Sequence, residues 1–195
     1  MEFVVVAAET SEGQGATAPG QTQQVGGEDA QREARLAQGE TMKAVGVDPG
    51  IKSGAMVVLD IDELGTARVC SVVRCARGAL WPRTMKAACV DLAADVGAVE
   101  RFIKVKGSNP NQGASIASRR MLKPCCGLVL SPSPVTWRIA LGAGRMNRRK
   151  AKQWAMSRVE AMGWTAQDDH VAEAALLAVY ASVVGAGLLV DSITA

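Results

Sequence analysis

The stretch KAVGVDPGIKSGAMVVLD, residues 43–60, decides how the rest of the chain is read. Its apolar run breaks at Asp48 and resumes at Ala55, with Pro49, Gly50 and Gly54 between. Apolar runs this short predict buried strands, and the glycine-bearing break predicts a tight hairpin turn. A carboxylate at the end of such a strand is costly to desolvate unless something pairs with it. Asp48 therefore demands a partner, and the search for that partner organises the remaining sequence.

Beyond the hairpin, ARVCSVVRC reads as a third strand, followed by a helix over residues 81–94 and a short strand DVGAVE. A helix around QGASIASRRMLKPCCG comes next, then a strand LVLSP and helices over residues 147–162 and 169–186. The order β-β-β-α-β-α-β-α-α predicts an α/β fold, a mixed five-stranded sheet with three antiparallel strands first and helices on both faces. Residues 174–190 carry no charge, but the run is slightly short for a membrane span and includes Ser182, Gly185 and Gly187, so it is read as a buried final helix.

Composition narrows the functional classes. Apolar residues make up 48% of the 195, which is enough for a core, whereas aromatics at 4% leave that core to Ala, Val and Leu. The five cysteines form no C-x-x-C pair, which favours free thiols in a reducing compartment over a disulfide framework or a zinc ribbon. His170 is the single histidine, so sites built from several imidazoles are excluded. No secretory leader is visible, and the chain is expected not to be secreted.

Charge is unevenly spread. Residues 1–42 hold seven acidic and two basic residues in a Gly- and Gln-rich context, and read as a flexible acidic tail with a short helix near EDAQREARLAQ. Residues 43–195 hold 20 basic and 12 acidic residues. Between residues 101 and 159 there are 13 Lys or Arg and no acid, a one-sign run that self-repels unless an anion neutralises it. Phosphate backbone is the natural anion, since each neutralised phosphate releases condensed counterions.

Two further places carry acids where apolar segments end. Glu100 closes DVGAVE, and Asp168, Asp169, His170 and Glu173 open the last helix. His170 and Glu173 are i,i+3 and Asp169 and Glu173 are i,i+4, so the three share a helix face. Asp168 reads as an N-cap. Carboxylate oxygens with waters are what Mg²⁺ prefers, and acids from two strand ends and one helix suit a two-metal site for phosphodiester hydrolysis.

These residues carry a resemblance. GVDPGIKSGAMVV resembles the first-strand motif of RuvC-type Holliday junction resolvases, in the RNase H-like superfamily. AVE at 98–100 resembles their second acidic strand, LSPSPVTWR at 130–138 their strand and Pro-x-x-Trp-Lys/Arg element, and DDHVAEAALLAVYA their final helix. The His-then-Glu version is most similar to the plant and algal organellar branch, which implies a plastid location; a bacterial cytoplasm is the other expectation.

The resemblance implies a nuclease domain over residues 43–190 that resolves four-way DNA junctions by symmetric nicking as a homodimer, with two Mg²⁺ or Mn²⁺ ions per site and no membrane. Asp48, Glu100 and Glu173 become metal-binding catalytic acids. His170 would orient water, bind metal or assist the leaving group, with Asp169 the alternative fourth ligand. Lys52 and Ser53 would reach a phosphate near the cut, and Arg119, Arg120 and Lys123 would line a dimer-spanning DNA surface. Arg145, Arg148, Arg149, Lys150 and Lys152 would grip the arms. Two other readings remain: the same fold binding branched DNA without cutting it, and a sugar-kinase or actin-like ATPase, for which the chain is about half the usual length.

Overall fold

A computed structural model of the protein describes residues 41–51, 53–75, 80–102, 110–187 and 189–194. Lys52 and the acidic tail up to residue 40, with its expected short helix, lie outside the described residues. Along the chain the elements are β1 (Met42–Asp48), β2 (Ala55–Ile61), β3 (Thr66–Arg74), α1 (Trp81–Ala88), β4 (Ala94–Val99), α2 (Pro110–Leu122), β5 (Cys126–Leu130), α3 (Pro134–Ala140), α4 (Arg148–Ala161), α5 (Asp169–Ala186) and β6 (Ser192–Thr194).

Among the described residues the sheet has six strands in the order β5-β4-β1-β2-β3-β6, not the expected five. β1, β2 and β3 form the expected antiparallel meander, whereas β4 runs parallel to β1, β5 parallel to β4 and β6 parallel to β3. The added strand is only SIT, too short to show a period of its own. The first helix is also shorter than expected. It stops at Ala88, with Cys89 as its C-cap, and Asp91 then adopts the left-handed region at φ 63°, which turns the chain into β4. α2 likewise ends at Leu122, two residues before Pro124, because the residue preceding a proline is driven out of helical geometry.

The run in β1 is apolar on both faces because both faces are covered. Ala44 in β1, Ala55, Val57, Leu59 and Ile61 in β2, and Val96 and Ala98 in β4 share a core with α5, Trp137 and α4. Val45, Val47, Met56, Val58 and Val99 instead pack with Trp81, Met85, Ala114 and Leu122 from α1 and α2. α5 is capped at its start by Asp168, whose Oδ1 accepts from Val171 N at 2.9 Å as the expected N-cap, and at its end by Gly187 with φ 68°. Every residue from 171 to 182 of this helix is buried, as a core helix of the sheet.

Gly46 sets how close β1 and α5 come. A Cβ there would fall inside the van der Waals radii of the Ala174 carbonyl oxygen and the Ala178 amide nitrogen, so two backbones meet with nothing between them.

Candidate metal centre

Period-two alternation carries Asp48 onto the α5 face, since it follows Ala44 and Gly46 in β1. Glu100, immediately beyond β4, follows Val96 and Ala98 onto the same face. β1 and β4 are parallel neighbours, so both acids stand at the carboxyl edge of the sheet, and Glu100 N donates to Val47 O at 3.1 Å. The contact at Gly46 then fixes the helix. From Gly46 to Asp48 a strand advances roughly 7 Å, and from Ala174 back to His170 a helix covers roughly 6 Å. An antiparallel α5 therefore delivers its first turns to Asp48.

The contacts bear this out. Asp48 Oδ2 accepts a hydrogen bond from His170 Nδ1 at 2.6 Å. Ligand atoms of Asp48, His170 and Glu173 lie within 4.8 Å of one another, and the two carboxylates are buried. Glu100 is beside them but outside that group. Its Oε1 accepts from Trp137 Nε1 at 2.9 Å and lies 3.7 Å from Arg138 Nη2. The same Arg138 Nη2 donates to Glu173 Oε1 at 2.7 Å, and its guanidinium stacks 4.8 Å from the Trp137 ring centroid. Asp48, Glu100, Arg138, His170 and Glu173 line a cleft of about 700 Å³, which Ser53, Phe102, Asn111, Arg148 and Lys152 also border.

Crowding beside Asp48 raises the pKa values of Glu100 and Glu173. Burial, the Asp48 charge and, less strongly, Glu173 push Glu100 up to about 8 against the Trp137 and Arg138 contacts that favour ionisation. Burial and then Asp48 raise Glu173, with Arg138 opposing. The Asp48 hydrogen bond raises His170, against its burial. Each raised group favours the folded state fully below its unfolded pKa, and that contribution is lost as pH rises through the folded value. The metal-free chain is therefore expected to lose a few kcal/mol between pH 5 and pH 9 through the rise of Glu100 from an ordinary 4.5 to about 8. Urea denaturation in EDTA across that range checks it, and Mg²⁺ is expected to restore most of the loss at the alkaline end.

Two carboxylates and one imidazole at this spacing fit a divalent ion such as Mg²⁺ or Mn²⁺, the imidazole suiting the latter better. Among the described residues this is the one group with metal-ligand spacing.

Other residues marked in the sequence fall into three places. Asp169 turns away from the cleft centre and pairs with Lys152 of α4, while Asp168 pairs with Arg74 at the end of β3. Ser53, Arg148 and Lys152 border the cleft, and Lys52 lies outside the described residues. Arg119, Arg120 and Lys123 are exposed at the far end of α2, about 12 Å along the helix axis from Asn111 at the cleft. Arg145, Arg149 and Lys150 are exposed around the start of α4, without lining the cleft.

Sequence reasoning missed Arg138, Trp137 and Asn111 as site residues. Asn111 Oδ1 accepts from Ile51 N at 3.4 Å and so ties α2 to the hairpin turn. Trp137 and Arg138 sit on α3, a helix that was not expected, although its start is legible. Ser133 caps Thr136 N at 3.2 Å and Pro134 opens the helix.

No protein-family model matches the chain, and no curated protein matches it in sequence. Solved structures do match. Thermus thermophilus RuvC superposes with a TM-score of 0.54 at 19% identity, over 75% of this chain and 98% of that one. The chain has the RuvC fold. T. thermophilus RuvC in complex with a Holliday junction substrate gives a TM-score of 0.53 at 18% identity, over 71% of this chain and 92% of that chain. The fowlpox virus Holliday junction resolvase gives 0.51 at 15% identity, over 70% and 94%. In this version of the RuvC fold, β1, β4 and α5 bring Asp48, Glu100, His170 and Glu173 to one end of the sheet, with α3 adding a cation.

Proposed function

We propose that the protein is a metal-dependent endonuclease that resolves four-way DNA junctions. The observation that carries this reading is the convergence of Asp48, His170 and Glu173, with Glu100 beside them, in a cleft bordered by Arg138, Arg148 and Lys152. Likeness to resolvase structures, one of them holding a Holliday junction, points to the substrate. RuvC-type resolvases use divalent ions, and a cation held by Asp48, His170 and Glu173 would acidify a bound water and offset charge on the phosphate.

The chain's own residues do the remaining work. Arg148 and Lys152 lie one turn apart on α4 and border the cleft, where they would hold the phosphodiester by charge without reading sequence. Trp137 and Ser115 fix Glu100, the first through its carboxylate and the second by donating to its carbonyl at 2.6 Å. The exposed cations on α2 and around the start of α4 extend the basic surface for the junction arms. Two copies acting as a homodimer would nick opposed strands symmetrically. The domain is taken to run from β1 through β6, a little beyond the expected 43–190, and the plastid assignment rests on the His170–Glu173 motif alone.

The test is cleavage of a synthetic four-way junction against linear duplex with Mg²⁺, Mn²⁺ or EDTA. Paired, metal-dependent nicks near the crossover are expected. Junction binding without nicks in any metal would replace this reading with a binding module.

A further inference from the structure

Arg138 occupies a place where a nuclease site of converging acids is expected to hold metal. Its Nη2 lies 2.7 Å from Glu173 Oε1 and 3.7 Å from Glu100 Oε1, so one guanidinium spans the two carboxylates. The side chain is only 17% exposed. Its guanidinium lies over the Trp137 ring, and α3, the helix that carries it, is capped in its first turn by Ser133. Its Nε is buried and has no hydrogen-bond partner among the described residues. Moving the head group out would leave Glu173 without its hydrogen-bonded cation and Glu100 with the Trp137 indole alone, and a guanidinium does not shed its charge in a protein.

The acids divide accordingly. Asp48, His170 and Glu173 present ligand atoms at metal spacing, and Glu100 does not belong to that group. Glu100 already has two donors or cations, the Trp137 indole and Arg138. A second dication between Glu100 and Glu173 would meet a fixed positive charge at contact range in a buried site, where such repulsion is least screened.

We propose that Arg138 is a built-in cation of the site, standing where a second ion would otherwise sit between Glu100 and Glu173, so that each chain takes a single divalent ion at Asp48, His170 and Glu173. The proposal rests on the metal-dependent reading above for its choice of ion, but its readout needs neither DNA nor turnover. The guanidinium supplies on the Glu100 side a positive charge that cannot dissociate. Two ions per site, the number the sequence resemblance implies, become one ion and one arginine.

Mn²⁺ titration of the full chain by calorimetry, with bound ion counted by electron paramagnetic resonance, tests this. Wild type is expected to bind one Mn²⁺ per chain and Arg138→Met two, with Arg138→Lys remaining at one. Glu100→Gln is expected to keep the single ion, since Glu100 is not its ligand, and this variant decides the matter if Arg138→Met fails to fold. Two ions on wild type, one ion on a folded Arg138→Met, or loss of the ion in Glu100→Gln each overturns the proposal. A chain that binds two ions and cuts junctions refutes it while leaving the nuclease reading intact. One that binds a single ion and cuts nothing does the reverse, and a chain that binds none refutes both.

Discussion

Asp48→Asn is expected to lower metal-dependent nicking of a four-way junction by about 10³-fold or more, the effect of losing several kcal/mol of charge stabilisation at the reacting phosphate. The substitution keeps the size and shape of a side chain that is 6% exposed and removes only its charge. That charge holds one side of the Asp48, His170 and Glu173 group and is the partner of His170 Nδ1. The same charge raises Glu100 and Glu173, so neutralising it relieves repulsion in the metal-free protein. The variant is therefore expected to melt no lower than wild type in EDTA and to bind junction DNA normally. Single-turnover cleavage with Mg²⁺, read beside a melting curve, checks both halves. Nicking within tenfold of wild type would remove Asp48 from the chemistry.

Gly46→Ala is expected to cost about 3–5 kcal/mol, a large part of the 5–15 kcal/mol that a domain ordinarily has. The added methyl meets the Ala174 carbonyl, the Ala178 amide and, at 2.9 Å, the Leu177 carbonyl carbon. All three are backbone atoms in the interior of α5 and cannot rotate away. The helix must lift from β1, which also separates His170 and Glu173 from Asp48. Gly113→Ala is the control, because a Cβ there meets nothing within 4 Å and the site is inside α2. It is expected to stabilise by about 0.5–1 kcal/mol through helix propensity alone. Urea denaturation of the two variants separates a packing effect from a generic glycine effect.

Much of this site was legible because alternation is rigid. Once residues 43–48 are read as a doubly covered strand, the face of Asp48 is set, and DVGAVE places Glu100 by the same rule. The helix acids were legible too, since the apolar run behind Glu173 leaves one way to face the sheet. Asp168 and Asp169 separated from the site for a reason the sequence only half displays. Asp168 caps the helix, but the partners Arg74 and Lys152 come from β3 and α4, and pairing across elements has no local signature. Lys152 shows the same limit, since it borders the cleft while engaged with Asp169.

Arg138 was missed for a different reason. It closes the Pro-x-x-Trp-Lys/Arg element at 130–138, but that match gave it no role in the site, and only the fold distinguishes a buried arginine spanning two acids from an exposed one gripping a phosphate. β6 was missed because three residues cannot display a pattern. Its pairing to β3 is set by position after α5, with Ile193 N donating to Met162 O at 2.6 Å.

The seat of Trp137 has an optical consequence. Its indole N–H is bonded to Glu100, its ring carries the Arg138 guanidinium, and its centroid lies 6.1 Å from that of Trp154 at an interplanar angle of 44°. Two indoles that close and that inclined couple as transition dipoles and impose handedness on each other's absorption. A carboxylate and a cation against one of them make its excited state sensitive to charge nearby. The chain thus carries an intrinsic chromophore pair beside its own acids, one that would register the arrival of an ion or a phosphate as a change in light.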